Sequence, residues 1–147
     1  MFKKIVLSSL IAFALTGCAT QQKTTTENYL SNQNPYYFEI NEELASQTLA
    51  LLEKRYPPAK TKLKLVLNKE QINNDYYAKK LIEVLTKKGY ALTLEDTENY
   101  KKIDYKISEN KHQIHLILNV VDEKYSRIFV LNSEHKLTPF SSWSRGK

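Results

Sequence analysis

From Leu44 to Tyr56 the apolar positions recur at helical spacing: Leu44, Ala45, Thr48, Leu49, Leu51, Leu52 and Tyr56 share one face of a 3.6-residue period. This predicts a helix that starts at Asn41, a good N-cap, with Glu42 and Glu43 in the first turn, where the helix dipole favours acids. Lys54 and Arg55 sit near its other end. Pro57-Pro58 stop it, because proline has no N–H and disfavours helical geometry at the residue before it. The period then changes to two. Leu63, Leu65 and Leu67 alternate with polar residues across 62–67, the pattern of a strand. Ala78, Leu81, Ile82, Val84 and Leu85 return to helical spacing over roughly 76–88, behind a cap at Asn74 or Asp75 and ahead of Gly89, a C′ residue. Alternation resumes in Tyr90, Leu92 and Leu94, then in Ile103, Tyr105 and Ile107, then in Ile114, Leu116, Leu118 and Val120, and the chain returns through Tyr125–Leu131. Turns are expected at Glu109-Asn110-Lys111 and Asp122-Glu123-Lys124. No internal repeat is visible. The expected fold is α+β: two helices packed on one face of a small, mostly antiparallel sheet.

The pattern before residue 19 is of another kind. Lys3 and Lys4 are followed by the apolar run Ile5–Leu15, broken only by Ser8 and Ser9. A stable membrane-spanning helix needs about 20 apolar residues, so this run is too short and reads as a secretory signal. It ends in Leu15-Thr16-Gly17-Cys18, which resembles the lipobox of bacterial lipoproteins. In that family the cysteine thiol takes a diacylglyceryl group, the peptidase cuts before the cysteine, and the new amino terminus is acylated. Leu15, Thr16 and Gly17 would be the recognition residues and Cys18 the lipidated one. The alternative is an ordinary signal peptide with a chance cysteine. Ala19 follows where an Asp tends to retain lipoproteins at the inner membrane, so the resemblance implies an outer-membrane location facing the periplasm. Each buried methylene of the acyl chains contributes about 0.8 kcal/mol, and several chains make release negligible.

Three segments follow: a signal at 1–17, a lipidated tether at 18–34, and a folded periplasmic domain at 35–147. Ala19–Asn34 is polar with little to bury, and is expected to be disordered. Pro35-Tyr36-Tyr37-Phe38 ends it, with rings that either cap the core or dock on a partner. The chain of 147 residues is 41% hydrophobic, enough for one modest core. Its 22 bases and 16 acids give +6, which falls to +4 once Lys3 and Lys4 leave with the signal. That balance fits a charged-lipid or acidic-protein neighbour. It is not a nucleic-acid footprint, which needs a clustered basic face.

Composition removes several chemistries. One Cys allows no intramolecular disulfide and no multi-cysteine metal site, and three Gly argue against Gly-rich phosphate loops. His112 and His115, three apart on an expected strand, point to opposite faces and cannot converge on one ion. His135 has no local partner beyond Glu134. Glu95, Asp96 and Glu98 fall in a polar loop, without the Gly of a calcium loop. No Ser lies in a nucleophile elbow. The expectation is therefore a protein without catalysis, metal or cofactor. The lysines are spread among acids as a solvated surface, with contact to anionic headgroups the minority alternative. The 10 tyrosines suit both sheets and interfaces.

Together the lipobox, the polar tether, a helix ending in Tyr56-Pro57-Pro58-Ala59, a second ending in Lys88-Gly89-Tyr90-Ala91, and the terminal Ser142-Trp143-Ser144-Arg145 resemble the TrbH-type conjugative-transfer lipoproteins. That resemblance implies a small outer-membrane component of the mating-pair formation apparatus, a type IV secretion channel. It implies assembly with a periplasmic outer-ring protein and a scaffold linked to the inner membrane, with no substrate turned over. A homo-oligomeric ring fits such a role. Pro35, Tyr36, Tyr37 and Trp143 are the candidate partner contacts, against structural roles as helix entry and core filler. A stand-alone lipoprotein binding a cell-envelope ligand or periplasmic protein is the alternative function.

Overall fold

The computed structural model describes residues 26–147. The signal segment, the lipobox residues Leu15, Thr16, Gly17 and Cys18, and the tether up to residue 25 lie outside the described residues. In chain order the elements are β1 (Glu27–Asn28), α1 (Tyr37–Arg55), a 3₁₀ turn (Pro58–Lys60), β2 (Lys62–Leu65), α2 (Lys69–Asn74), α3 (Tyr76–Lys88), β3 (Ala91–Thr93), β4 (Lys101–Asn110), β5 (Gln113–Val120), β6 (Glu123–Leu131), β7 (Leu137–Pro139) and β8 (Ser144–Gly146).

The fold is α+β, as the periodicities predict. The strands form one sheet in the order β3-β2-β4-β5-β6-β7, with β1 beside β4 and β8 beside β6. The β4-β5-β6 meander and its β7 and β8 neighbours are antiparallel. Inward residues Ile103, Tyr105 and Ile107 of β4, Ile114, Leu116, Leu118 and Val120 of β5, and Tyr125 and Phe129 of β6 are buried. They meet Leu44, Ala45 and Leu52 of α1 and Tyr77, Ala78, Leu81 and Leu85 of α3 in one core. Both long helices therefore cover the same sheet face.

Local chemistry explains the second helical region. Asn68 and Gln71 form a reciprocal capping box that starts α2. Asp75 then ends α2 and caps α3, its Oδ1 accepting from the Tyr77 and Ala78 N–H groups. Gly89 closes α3 at φ 95°, a left-handed conformation that costs glycine little.

Several expectations are corrected. The first helix begins at Tyr37, not after Asn41. Asn34 Oδ1 accepts from the Tyr36 N–H (2.9 Å), which turns the chain into the helix early. Asn41 lies buried one turn inside, its amide donating to Tyr37 O (2.7 Å). Ile40 extends the buried stripe towards the helix start. Residues 26–34 do not behave as a tether: β1 pairs in parallel with β4, and Thr26 and Leu30 are buried. The folded unit thus includes residues from Thr26. β2 ends at Leu65, and β2 pairs in parallel with both β3 and β4, because the α2–α3 connection is the long crossover that parallel neighbours need. The hairpin turns fall at Lys111-His112 and Val121-Asp122, with Lys111 and Val121 at φ 57°. Keeping the buried residues of adjacent strands on one face sets that register.

Candidate functional site

The N-terminal edge of the domain is held by a polar node under the helix layer. Asp75, fixed by its role as cap of α3, turns Oδ2 towards the Tyr105 hydroxyl on β4, which donates at 2.5 Å. Its Oδ1 accepts from the Asn28 amide on β1 at 2.8 Å. Thr26 adds a bond from its hydroxyl to Val66 O (2.7 Å), and Gln71 on α2 donates to Thr26 O (3.2 Å). Beside the node, the buried Tyr77 and Thr48 hydroxyls share a bond of 2.8 Å. Burial pushes the Tyr105 hydroxyl pKa far up, and the Asp75 carboxylate beside it pushes in the same direction. Burial likewise raises Tyr77. These phenols stay protonated and act as donors. The node ties the strand nearest the N-terminus to the core of the sheet and to the start of α3.

A second cluster holds the other end of the chain. The Tyr56 and Tyr125 hydroxyls both donate to Glu123, and Arg145 on β8 pairs with the same carboxylate. Burial, helped by the bond to Tyr125, pushes Tyr56 up to about 12. Tyr90 donates to Tyr56 O at 2.8 Å, and burial pushes its own pKa up to about 12. The sequence pattern puts Tyr56 on the buried face of the first helix and Tyr90 and Tyr125 on strands, with nothing in it to bring them together. Their convergence depends on the packing of α1 against β6.

The candidate contact residues are not gathered in one place. Pro35 is exposed at the entry to α1, with Tyr36 and Tyr37 half-buried beyond it. Tyr36 stacks on His135 in the β6–β7 turn, ring centroids 4.4 Å apart. Tyr37 meets Phe38 edge-on at 5.4 Å, and Phe38 in turn meets Tyr76. Trp143 is half-buried against Phe129 (6.5 Å), with the Arg127 guanidinium 5.7 Å from its ring. Arg127 also reaches Gln47 of α1 (2.9 Å). A cleft of about 470 Å³ lined by Tyr36, Glu39, Glu43, His135 and Leu137 runs between α1 and β7. The larger apolar cleft, about 560 Å³, is lined by Leu65, Leu67, Ile82, Leu92 and Leu94.

The ionisable groups are dispersed. His112 lies in a turn, His115 on β5 and His135 in the β6–β7 turn. Among the described residues no group of three or more His, Cys, Asp or Glu is placed to hold a metal ion. Asp96 of the acidic loop pairs with Lys64 and, more distantly, Lys102 (3.8 Å). The Lys64 ammonium holds its carboxyl below the usual range.

The sheet face turned away from the helices is open over β5 and β6, while Asp104 of β4 and Lys64 of β2 are buried on it. By register, Ser108, His115 and Ile128 lie in one row across it. Tyr29, whose N–H donates to Ile107 O, extends that row at one edge, and Phe140, whose N–H donates to Ile128 O, extends it at the other. Tyr29 is 59% exposed and Phe140 68%. Half-buried Ile117 and Val130 flank Ile128 on the same face. Lys106 stands one strand over from Ile117, and Lys124 and Lys102 lie further towards the Val120 end of the sheet, all three exposed.

Comparison with curated proteins and with solved structures gives no significant match. Comparison with protein families matches residues 23–147 to TrbH, described as conjugal transfer protein TrbH. That match spans every element described above, from β1 to β8, and so the chain belongs to the TrbH family and is a component of conjugal transfer.

Proposed function

We propose that this protein is a lipid-anchored structural part of a conjugative type IV secretion channel, held at the outer membrane and facing the periplasm. The observation that carries this reading is the position of Leu15-Thr16-Gly17-Cys18 a few residues ahead of the family match that begins at residue 23. Acyl chains on Cys18 would hold the chain at the bilayer. The node of Asn28, Asp75 and Tyr105 would then transmit any pull on that anchor into the sheet rather than into a loose end. The partners are other proteins of the channel, engaged by surfaces rather than by an active site, and the protein turns over no substrate. Assembly as a ring of copies would let individually weak contacts act together.

The test is a transfer assay in a strain lacking the gene. Transfer is expected to fall and to return with the wild-type gene. Cys18→Ser is expected to leave an unprocessed precursor that no longer fractionates with the outer membrane and does not restore transfer. Normal transfer without the gene would refute the role. Outer-membrane fractionation of the Cys18→Ser chain would refute the anchor.

A further inference from the structure

We propose that copies of this chain dock end to end, the basic end of one domain against the acidic end of the next. This rests on the ring of copies proposed above and names the two surfaces that form it. Three observations on the folded chain carry it.

The first is charge. The lysines are scattered along the sequence, and packing gathers them. Tyr56, just past α1, bonds Glu123 at the start of β6, and the Tyr90 hydroxyl, just past α3, donates to Tyr56 O. β2 starts beside the start of β4, with Leu63 opposite Lys101, and the Val121 N–H donates to Lys102 O. Both long helices therefore end where β2, β4 and β6 begin. α1 brings Lys54 and Arg55 to this pole, and α3 brings Lys87. Lys60, Lys62, Lys101 and Lys124 join them from the strand starts, and all of these bases are exposed. Lys88, Lys102 and Arg145 are also here, paired with Glu53, Asp96 and Glu123. Among the described residues the acids at this pole without a basic partner are Glu98, Asp104 and Asp122, so the pole is strongly positive. The opposite pole is where α1 and α3 begin. Glu39, Glu43, Glu70, Glu95 and Glu109 have no basic partner there, against Lys69, Lys79 and Lys111. Lys80 is shared by Glu42 and Glu83, Lys136 is taken by Glu134, and Asp75 adds the carboxylate of the node. The basic pole thus has its electrostatic complement on the far end of the same chain.

The second is an apolar tip at each pole. Val121 is 53% exposed at the basic one and Phe38 57% at the acidic one. Val121 holds φ 57°, a conformation that a β-branched residue adopts only under strain. Strain kept at an exposed turn points to a use for that side chain. Val121 lies next to Lys102 in the sheet and close to Lys124 in the chain. Phe38 packs edge-on against Tyr76 (4.7 Å), precedes Glu39 and sits one helical turn before Glu42. Protein interfaces put apolar contacts at the centre and charge at the rim, and each pole has that arrangement.

The third is where the chain enters the fold. Glu27 of β1 pairs with Lys106, about halfway along β4, so the segment from Cys18 joins the sheet between the poles rather than at one of them. Copies held at one bilayer can then turn both poles towards neighbours, and shared anchoring raises their local concentration. Because the two surfaces differ, the contact is heterologous, the kind that closes into a ring of copies when the rotation per copy divides a full turn.

The test uses the full lipidated chain in vesicles. Its natural cysteine is Cys18, so acylation leaves introduced cysteines as the free thiols. Val121→Cys and Phe38→Cys are placed in one chain, and disulfide formation between copies is followed on a non-reducing gel. The expected product is a ladder of dimers, trimers and larger species, because each copy offers both surfaces. Each single variant alone should stay monomeric, and a mixture of the two should stop at the dimer. Lys101→Glu with Lys124→Glu on the Val121→Cys chain should lower that dimer several-fold, as should added salt. Glu39→Lys with Glu43→Lys on the Phe38→Cys chain should restore it, a rescue that a misfolded chain would not give. Dimers from one single variant alone, a link indifferent to charge reversal, or no link between positions 121 and 38 overturns the proposal. A fluorophore on Val121→Cys that is quenched by nitroxide-labelled lipids also overturns it, and assigns the basic pole to the bilayer. Vesicle flotation reads the anchor separately: a chain that floats without the link refutes the docking alone. A chain that does not float refutes the anchor, and its cross-linking in solution still decides the docking.

Discussion

Asp75→Ala tests whether one carboxylate joins three elements. The substitution removes the α3 cap, worth about 1 kcal/mol. It strands the buried Tyr105 hydroxyl, which costs a further 1–3 kcal/mol or so. It also frees the Asn28 amide, a smaller loss because that bond is only part-buried. The sum is about 2–5 kcal/mol, a large share of the roughly 5–15 kcal/mol that stabilises a domain. Asp75→Asn keeps one oxygen for the cap and the Asn28 amide but turns an NH2 group towards Tyr105, which loses its acceptor, so it should cost about 1–3 kcal/mol. Tyr105→Phe should cost a similar amount. Because the carboxylate and the hydroxyl share one bond, the double variant Asp75→Ala/Tyr105→Phe should be less destabilised than the sum of the singles by about 1 kcal/mol or more. Urea unfolding followed through Trp143, the single tryptophan, measures each value. Protease sensitivity of the chain ahead of Leu30 should rise in Asp75→Ala under native conditions, as β1 loses its clamp. An Asp75→Ala chain within about 0.5 kcal/mol of wild type, or strict additivity in the double variant, would refute the reasoning.

Trp143→Ala should cost about 2 kcal/mol, below the roughly 3–5 kcal/mol of a fully buried tryptophan, because the ring is half-covered by Phe129 and Arg127; far-UV circular dichroism in urea measures it. Val121 holds φ 57° in the β5–β6 turn, where a β-branched side chain is strained, so Val121→Asn should stabilise by about 1 kcal/mol and raise Tm by a few degrees in a thermal scan. Burial raises the pKa of Asp104 in the folded state above its unfolded value. The folded chain therefore binds this proton more tightly, and the ionised carboxylate weakens folding at neutral pH. Asp104→Asn should be more stable than wild type at pH 7, and the advantage should shrink as pH falls through the acidic range where Asp104 is protonated; a pH-independent difference would contradict this.

What local chemistry dictates was readable in the chain itself. Asp75 and Gly89 mark the ends of α3 because a cap and a left-handed residue act within a few positions of each other. The alternation from Ile103 to Phe129 separates the buried face from the open one, since a strand has period two wherever it is placed. The family resemblance was carried by short segments such as Tyr56-Pro57-Pro58-Ala59 and Ser142-Trp143-Ser144-Arg145, and residues 23–147 match that family.

Other features depend on partners far away in sequence. Thr26–Asn34 looks like a tether because it offers little apolar surface, yet a strand of two residues is held there by Ile107, Val66 and Asp75, which lie 40 to 80 positions along. Asn41 has the chemistry of a cap, but the turn at Asn34 starts the helix first and buries it. The open face was invisible in the same way: Tyr29 and Phe140 stand at opposite ends of the chain, and only the pairing of β1, β4, β5 and β6 sets them in one row across Ile128. The chain alone determined which residues prefer which local geometry, because those preferences are short-ranged. Which surfaces were left uncovered, and what was gathered on them, was decided by long-range strand pairing.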